Sequence, residues 1–202
     1  EVKISSDVSG EIVELYVQEG DSVVVGQILA KIDPDTYLSA VERGKAAVNS
    51  SKSQLAMSRA QVENSRAQME QITAQLENAR TIHKRNDQLK KDGVISQVEF
   101  DQSLSNLRAL EANLRAAEAS IKSAQQSAEG QGFSIKSSEA NLKELQTSLS
   151  RTTIKAPVSG IVSSLSVEKG ERVVGTIQMT GTEMMRISNL NSMEVQVNVN
   201  EN

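Results

Sequence analysis

The feature that most restricts the fold is a sequence repeat split by a long insertion. Asp7–Gly26 reads DVSGEIVELYVQEGDSVVVG and Ala156–Gly175 reads APVSGIVSSLSVEKGERVVG. Val8, Ser9, Gly10, Leu15, Val17, Gly20, Val23 and Val24 recur as Val158, Ser159, Gly160, Leu165, Val167, Gly170, Val173 and Val174, all at one offset and without a gap. Apolar residues alternate over Ile12–Val17 and cluster over Val23–Ile32, with glycines between, which predicts short strands and turns. Glu19-Gly20-Asp21 and Lys169-Gly170-Glu171 have the composition of turns in which Gly takes a positive φ. One copy is too small to bury its apolar face; two packed together can do so.

Between the copies the hydrophobic period changes from two to seven. Val41, Val48, Leu55, Val62, Met69, Leu76 and His83 recur at heptad spacing, and so do Phe100, Leu107, Leu114, Ile121, Ala128, Ile135, Leu142 and Leu149. A heptad repeat this long predicts a left-handed supercoil of two helices. Three places on, the first series meets small residues such as Gly44, Ser51, Ser58, Ser65 and Ala79. They predict a thin seam with closely spaced backbones. Asp33-Pro34-Asp35 suits a helix entry. Asp92-Gly93 suits a left-handed helix stop, and Ser96 with Glu99 a capping box. Each arm, at 1.5 Å per residue, would reach about 80 Å. Gly130-Gln131-Gly132 keeps the heptad phase across it, which leaves open a hinge or a tolerated defect.

Composition removes several function classes. With a formal net charge of −4, two Phe, two Tyr and no Trp, the chain lacks a basic face or stacking platforms for nucleic acid. No Cys is present, which excludes thiol chemistry. No stretch has the roughly 18 apolar residues that span a bilayer. Glu1 opens directly in polar, strand-like sequence, so the chain is expected to be a fragment or processed form whose anchor lies outside it. His83 is the only histidine and has no ligand or relay partners at suitable spacing; it reads as a polar seam residue, with pH sensitivity as the other option. Met179, Met184 and Met185 read as core, with soft-metal binding as the minor alternative. No nucleophile motif or phosphate loop appears, so neither enzyme activity nor a cofactor is expected.

The VSG-x-I-V and EGD-x-V elements, once repeated, resemble the biotinyl/lipoyl carrier fold. Lys31 aligns with a strand residue rather than with the carrier lysine of that fold, so no lipoyl or biotinyl attachment is expected. Arg85, Leu89 and Ser96 form R-x3-L-x6-S around the turn in RNDQLKKDGVISQVEF. This motif, centred in a hairpin inserted in a split lipoyl-like repeat, resembles the tip of periplasmic adaptors (membrane-fusion proteins) of the AcrA and MacA type. The MacA-like members, which serve ABC-type efflux pumps, are the nearer resemblance.

That resemblance implies an α+β fold: a split lipoyl-like β-sandwich (1–33 and 154–189), a helical hairpin (34–153, tip 91–96) and the start of a β-barrel strand (190–202). It implies docking of a TolC-like outer-membrane channel through Arg85, Leu89, Gly93, Val94 and Ser96. An inner-membrane transporter, with an ABC type favoured, would be the second partner, and the copies would form a hexamer. The setting would be the periplasm, with an inner-membrane anchor outside this chain. Leu89, as an exposed apolar residue, would fill a groove or else pack inside the tip turn; Arg85 would donate to carbonyls or a carboxylate or stay a solvated surface charge; and Ser96 would either bond across or simply cap its helix. A carrier-type domain with a coiled-coil insertion, serving as an enzyme subunit, is the alternative.

Overall fold

The computed structural model describes residues 1–175 and 181–188. The expected barrel strand at 190–202 and Met179 lie outside the described residues. Strands β1 (Val2–Ser5), β2 (Gly10–Leu15), β3 (Ser22–Val23) and β4 (Ile28–Ile32) precede helices α1 (Asp35–Lys91) and α2 (Gln97–Ser150). Strands β5 (Thr153–Lys155), β6 (Gly160–Leu165), β7 (Arg172–Val173) and β8 (Glu183–Ser188) follow. Two compact units result, one of Glu1–Lys45 with Ala140–Asn202 and one of Ala46–Glu139.

In the first unit the repeats interlock. One four-stranded sheet runs β1-β8-β6-β3 and the other β5-β4-β2-β7. Each copy therefore lends its two-residue strand to the other copy's sheet: β3 pairs with β6 and β7 with β2, both antiparallel. The exchange is reciprocal in its hydrogen bonds. Gly20 N–H donates to the Val162 carbonyl and Gly170 N–H to that of Ile12, each at 2.8 Å; Ile12 N–H and Val162 N–H return bonds of 2.9 Å to Glu171 and Asp21. Gly20 and Gly170 take φ of 95° and 89°, a region that L side chains rarely enter. The Asp21 and Glu171 carboxylates close the two turns by accepting from Gln18 N–H and Glu168 N–H.

The alternating apolar residues meet in one cluster that includes Ile12, Val23, Leu29, Ile32, Val162, Val173 and Ile187. Met184 and Met185 are fully buried in it, so both methionines serve as packing. Lys31 lies within β4, in register with Glu14 and Thr153, and is not at a hairpin turn. Val23–Ile32 is not one strand. Gly26, at φ 83°, breaks it, and Val24 and Val25 are left exposed.

In the second unit the heptad seam forms as the spacing predicts. Val48, Val62, Leu76 and Ala79 are buried, and the seam series on α2 is half-buried or better from Phe100 to Ile135. The small residues serve close contact: the Ser51 and Ser138 hydroxyls are 3.0 Å apart across the seam. α2 continues unbroken through Gly130 and Gly132. Lys52–Glu139 (3.9 Å) and Arg80–Glu111 (3.7 Å) bridge the arms on one side.

Candidate functional site

The turn between the arms is built almost wholly by local bonds. The α1 terminus is a Schellman stop: Val94 N–H donates to the Leu89 carbonyl at 2.9 Å and Gly93 N–H to that of Lys90 at 3.0 Å. Gly93 takes φ 71°, the left-handed residue that this stop requires. Two residues on, the capping box closes. Ser96 Oγ accepts from Glu99 N–H at 3.2 Å, and Glu99 Oε2 accepts from Ser96 N–H at 3.1 Å. Ser96 Oγ also donates to Glu99 Oε2, so its hydroxyl is engaged inside the turn as donor and acceptor.

Below the turn, His83 packs against Phe100 with ring centroids 5.2 Å apart. Ser103 Oγ donates its one proton to the Phe100 carbonyl at 2.8 Å. The same hydroxyl lies within hydrogen-bond distance of His83 Nδ1, at 2.9 Å. Lys90 Nζ sits 4.1 Å over the Phe100 ring and donates to Gln97. Lys91 is paired with Asp87 at 2.6 Å. That hydrogen bond, with the charges of Lys91, His83 and Lys90, holds the Asp87 carboxyl below its ordinary range.

The structure thus sorts the predicted site residues. Arg85 is exposed and makes no ion pair among the described residues, so its guanidinium is free for a partner. Val94 is 68% exposed and Gly93 is open. Leu89 is half-buried rather than exposed, since it flanks the seam positions Asn86 and Lys90. The apolar surface at the tip is instead Val94 together with Val98, which is 76% exposed. Sequence reasoning passed over Val98. Its signal was an apolar residue one place into α2 and off the seam, where Phe100 takes the seam position. Among the described residues no group of His, Cys, Asp or Glu is arranged to hold a metal. Nor is any helix long and apolar enough to cross a membrane.

Interlocked half-sheets are thus interrupted in sequence by a capped helical hairpin. Residues 1–182 match the family described as RND MFP, barrel-sandwich hybrid domain, and the chain belongs to that family. It is 31% identical over 208 residues to the colistin resistance protein EmrA of Acinetobacter baumannii, covering 96% of this chain and 58% of the relative. It is 27% identical over 200 residues to the macrolide export protein MacA of Yersinia pestis, covering 99% of this chain and 46% of the relative. The crystal structure of MacA from Actinobacillus actinomycetemcomitans superposes at a TM-score of 0.55 with 26% identity, over 94% of this chain and 49% of that one. The chain thus spans about half the length of these relatives.

Proposed function

We propose that this chain is the lipoyl-like and hairpin portion of a periplasmic adaptor in a tripartite efflux or secretion system. The hairpin turn docks a TolC-like outer-membrane channel. Regions outside this chain anchor the protein to the inner membrane and contact the transporter. Copies associate around the channel axis, as a hexamer in the family resemblance. The likeness to MacA favours an ABC-type transporter, whereas the family description names RND systems; the transporter that co-purifies identifies the class. The protein acts by joining its partners rather than by catalysis.

One observation carries the reading: a tightly capped turn that leaves Val94 and Val98 bare, with an uncommitted Arg85 farther back along α1. A turn serving only to reverse the chain gains nothing from two uncovered valines, whereas apolar anchors ringed by polar groups are what a docking site needs. The preformed turn also lowers the ordering cost of binding. Ser96 contributes by shaping the turn, since its hydroxyl is already used.

The test is co-purification of the outer-membrane channel with the full-length protein from solubilised envelopes. Arg85→Glu and Val94→Asp are each expected to reduce the recovered channel by about tenfold, the loss that follows from roughly 1.4 kcal/mol per anchor. Protein level and helicity are expected to stay unchanged. Undiminished recovery from the double variant would overturn the docking role.

A further inference from the structure

On one face of the hairpin a row of charges runs along each side of the seam, and the row has a gap. Lys52–Glu139 and Arg80–Glu111 join the two arms at its ends. Heptad steps inward from these pairs set Arg59 opposite Gly132, Arg66 opposite Gln125 and Thr73 opposite Glu118. Between those ends, α2 therefore carries a carboxylate at every place in the row except the two that face Arg59 and Arg66. Arg66 turns back to Glu63 of its own helix at 2.9 Å. Arg59 is exposed and makes no ion pair or side-chain hydrogen bond among the described residues. Opposite it the space is empty: a Cβ added at Gly132 would meet nothing within 4 Å.

A groove of about 750 Å³ opens at this gap, lined by Leu55, Arg59 and Val62 from α1 and by Gly132, Phe133 and Lys136 from α2. Leu55 and Val62 belong to the seam and give the groove an apolar floor. Phe133 stands at its edge, 67% exposed. Lys136 Nζ lies 5.6 Å from the centre of that ring and makes no ion pair among the described residues. Around the groove three cations, Arg59, Arg66 and Lys136, meet two carboxylates, Glu63 and Glu129. Toward the tip the same face turns acidic, with Glu70, Glu77 and Glu118. An anion is therefore favoured at the Arg59 position and disfavoured beyond it.

We infer that this groove binds an amphipathic organic anion: a flat apolar body bearing one carboxylate or similar acidic group. The body lies on Leu55 and Val62 and stacks a ring against Phe133. The acidic group takes the Arg59 guanidinium, whose fork of donors matches a carboxylate, with Lys136 as the second cation. The volume lies within the roughly 300–1,000 Å³ of small-molecule sites, which combine an apolar lining with a few placed polar groups. Gly132 is what makes the site. A glutamate there would continue the row of bridges, neutralise Arg59 and fill the space, and the chain has a glycine instead, at a cost of about 1 kcal/mol in helix propensity. The site lies along the arms rather than at the turn, and it stands or falls independently of channel docking.

The test titrates naphthalene-2-carboxylate into the full-length protein in lipid nanodiscs by isothermal titration calorimetry, with empty nanodiscs as the blank. Saturable binding is expected. The uncharged twin, naphthalene-2-carboxamide, is expected to bind about tenfold more weakly, and Arg59→Ala to weaken the carboxylate by about the same factor. Phe133→Ala should weaken both compounds alike, because it removes the stacking surface and leaves the charges. Gly132→Glu is the decisive variant. It completes the row, so Tm should hold or rise while binding is lost, and misfolding is not the reason for the loss. Equal binding of the two compounds, binding undiminished by Gly132→Glu, or the lack of any saturable binding would overturn the proposal. So would a change of oligomeric state on Phe133→Ala, which would assign the exposed ring to a second copy.

Discussion

Replacing Gly130 and Gly132 with Ala separates a hinge from a tolerated defect. Both glycines lie inside a continuous helix, and a Cβ added at either would meet nothing within 4 Å. The helix-propensity gain of about 1 kcal/mol per site is therefore unopposed. Together they should add about 2 kcal/mol, or roughly 4–8 °C in Tm for a chain of this size. Gly44 is the internal control. A Cβ there would lie 2.9 Å from Leu145 Cδ1 and 3.1 Å from Leu142 Cδ1, so seam crowding offsets the propensity and Gly44→Ala should leave Tm nearly unchanged. Thermal melts followed by circular dichroism at 222 nm make the comparison. Amide hydrogen exchange near Gly130 should slow in the double variant. A fall in Tm would refute the reasoning, since it would mean that the sites are covered or the helix is broken there. A rise in Tm accompanied by loss of export would assign the glycines a hinge role.

Three further outcomes are expected. Gly175→Ala should destabilise the interlocked sheets by several kcal/mol, at the level of severe backbone strain or overpacking, because its Cβ would lie 2.2 Å from Val8 N; chemical denaturation measures it. Ser96→Ala should cost about 1 kcal/mol of hairpin stability through loss of the cap. Ser96→Asp should keep both the cap and channel recovery, and loss of recovery in that variant would reinstate a direct contact. Glu183 accepts a hydrogen bond from Arg186 and feels the charges of Arg186 and Lys3, which lower its carboxyl from the ordinary value. A folded-state pKa below the unfolded one gives stability present above the ordinary carboxylate range and lost as pH falls through the folded value. Glu183→Gln should therefore lower Tm at neutral pH, with the gap to wild type closing in acid.

The helices were legible in the sequence because their determinants are local and periodic. The seven-residue series, the Asp92-Gly93 stop and the Ser96–Glu99 box each act within a few residues, and each forms as spaced. The repeat announced two related strand sets, but their interlocking depends on pairings far apart in sequence. Val23 pairs with Gly160, and Gly10 with Val173, which no local pattern dictates. For the same reason the apolar cluster over Val23–Ile32 did not show that Val24 and Val25 lie exposed beside a Gly26 turn held from afar by the Ala156 carbonyl. At the tip the motif located the turn and the free Arg85. It overstated the exposure of Leu89, which flanks the seam positions Asn86 and Lys90 and is half-buried with them, and it missed Val98.

The most direct test of the docking claim is to place a Cys at Val94, attach a photo-crosslinker, and identify by mass spectrometry what the full-length protein captures in intact envelopes. The adaptor reading predicts capture of the periplasmic helical end of a TolC-like channel, lost on Arg85→Glu. Capture confined to a soluble enzyme, or to neighbouring copies alone, would contradict it.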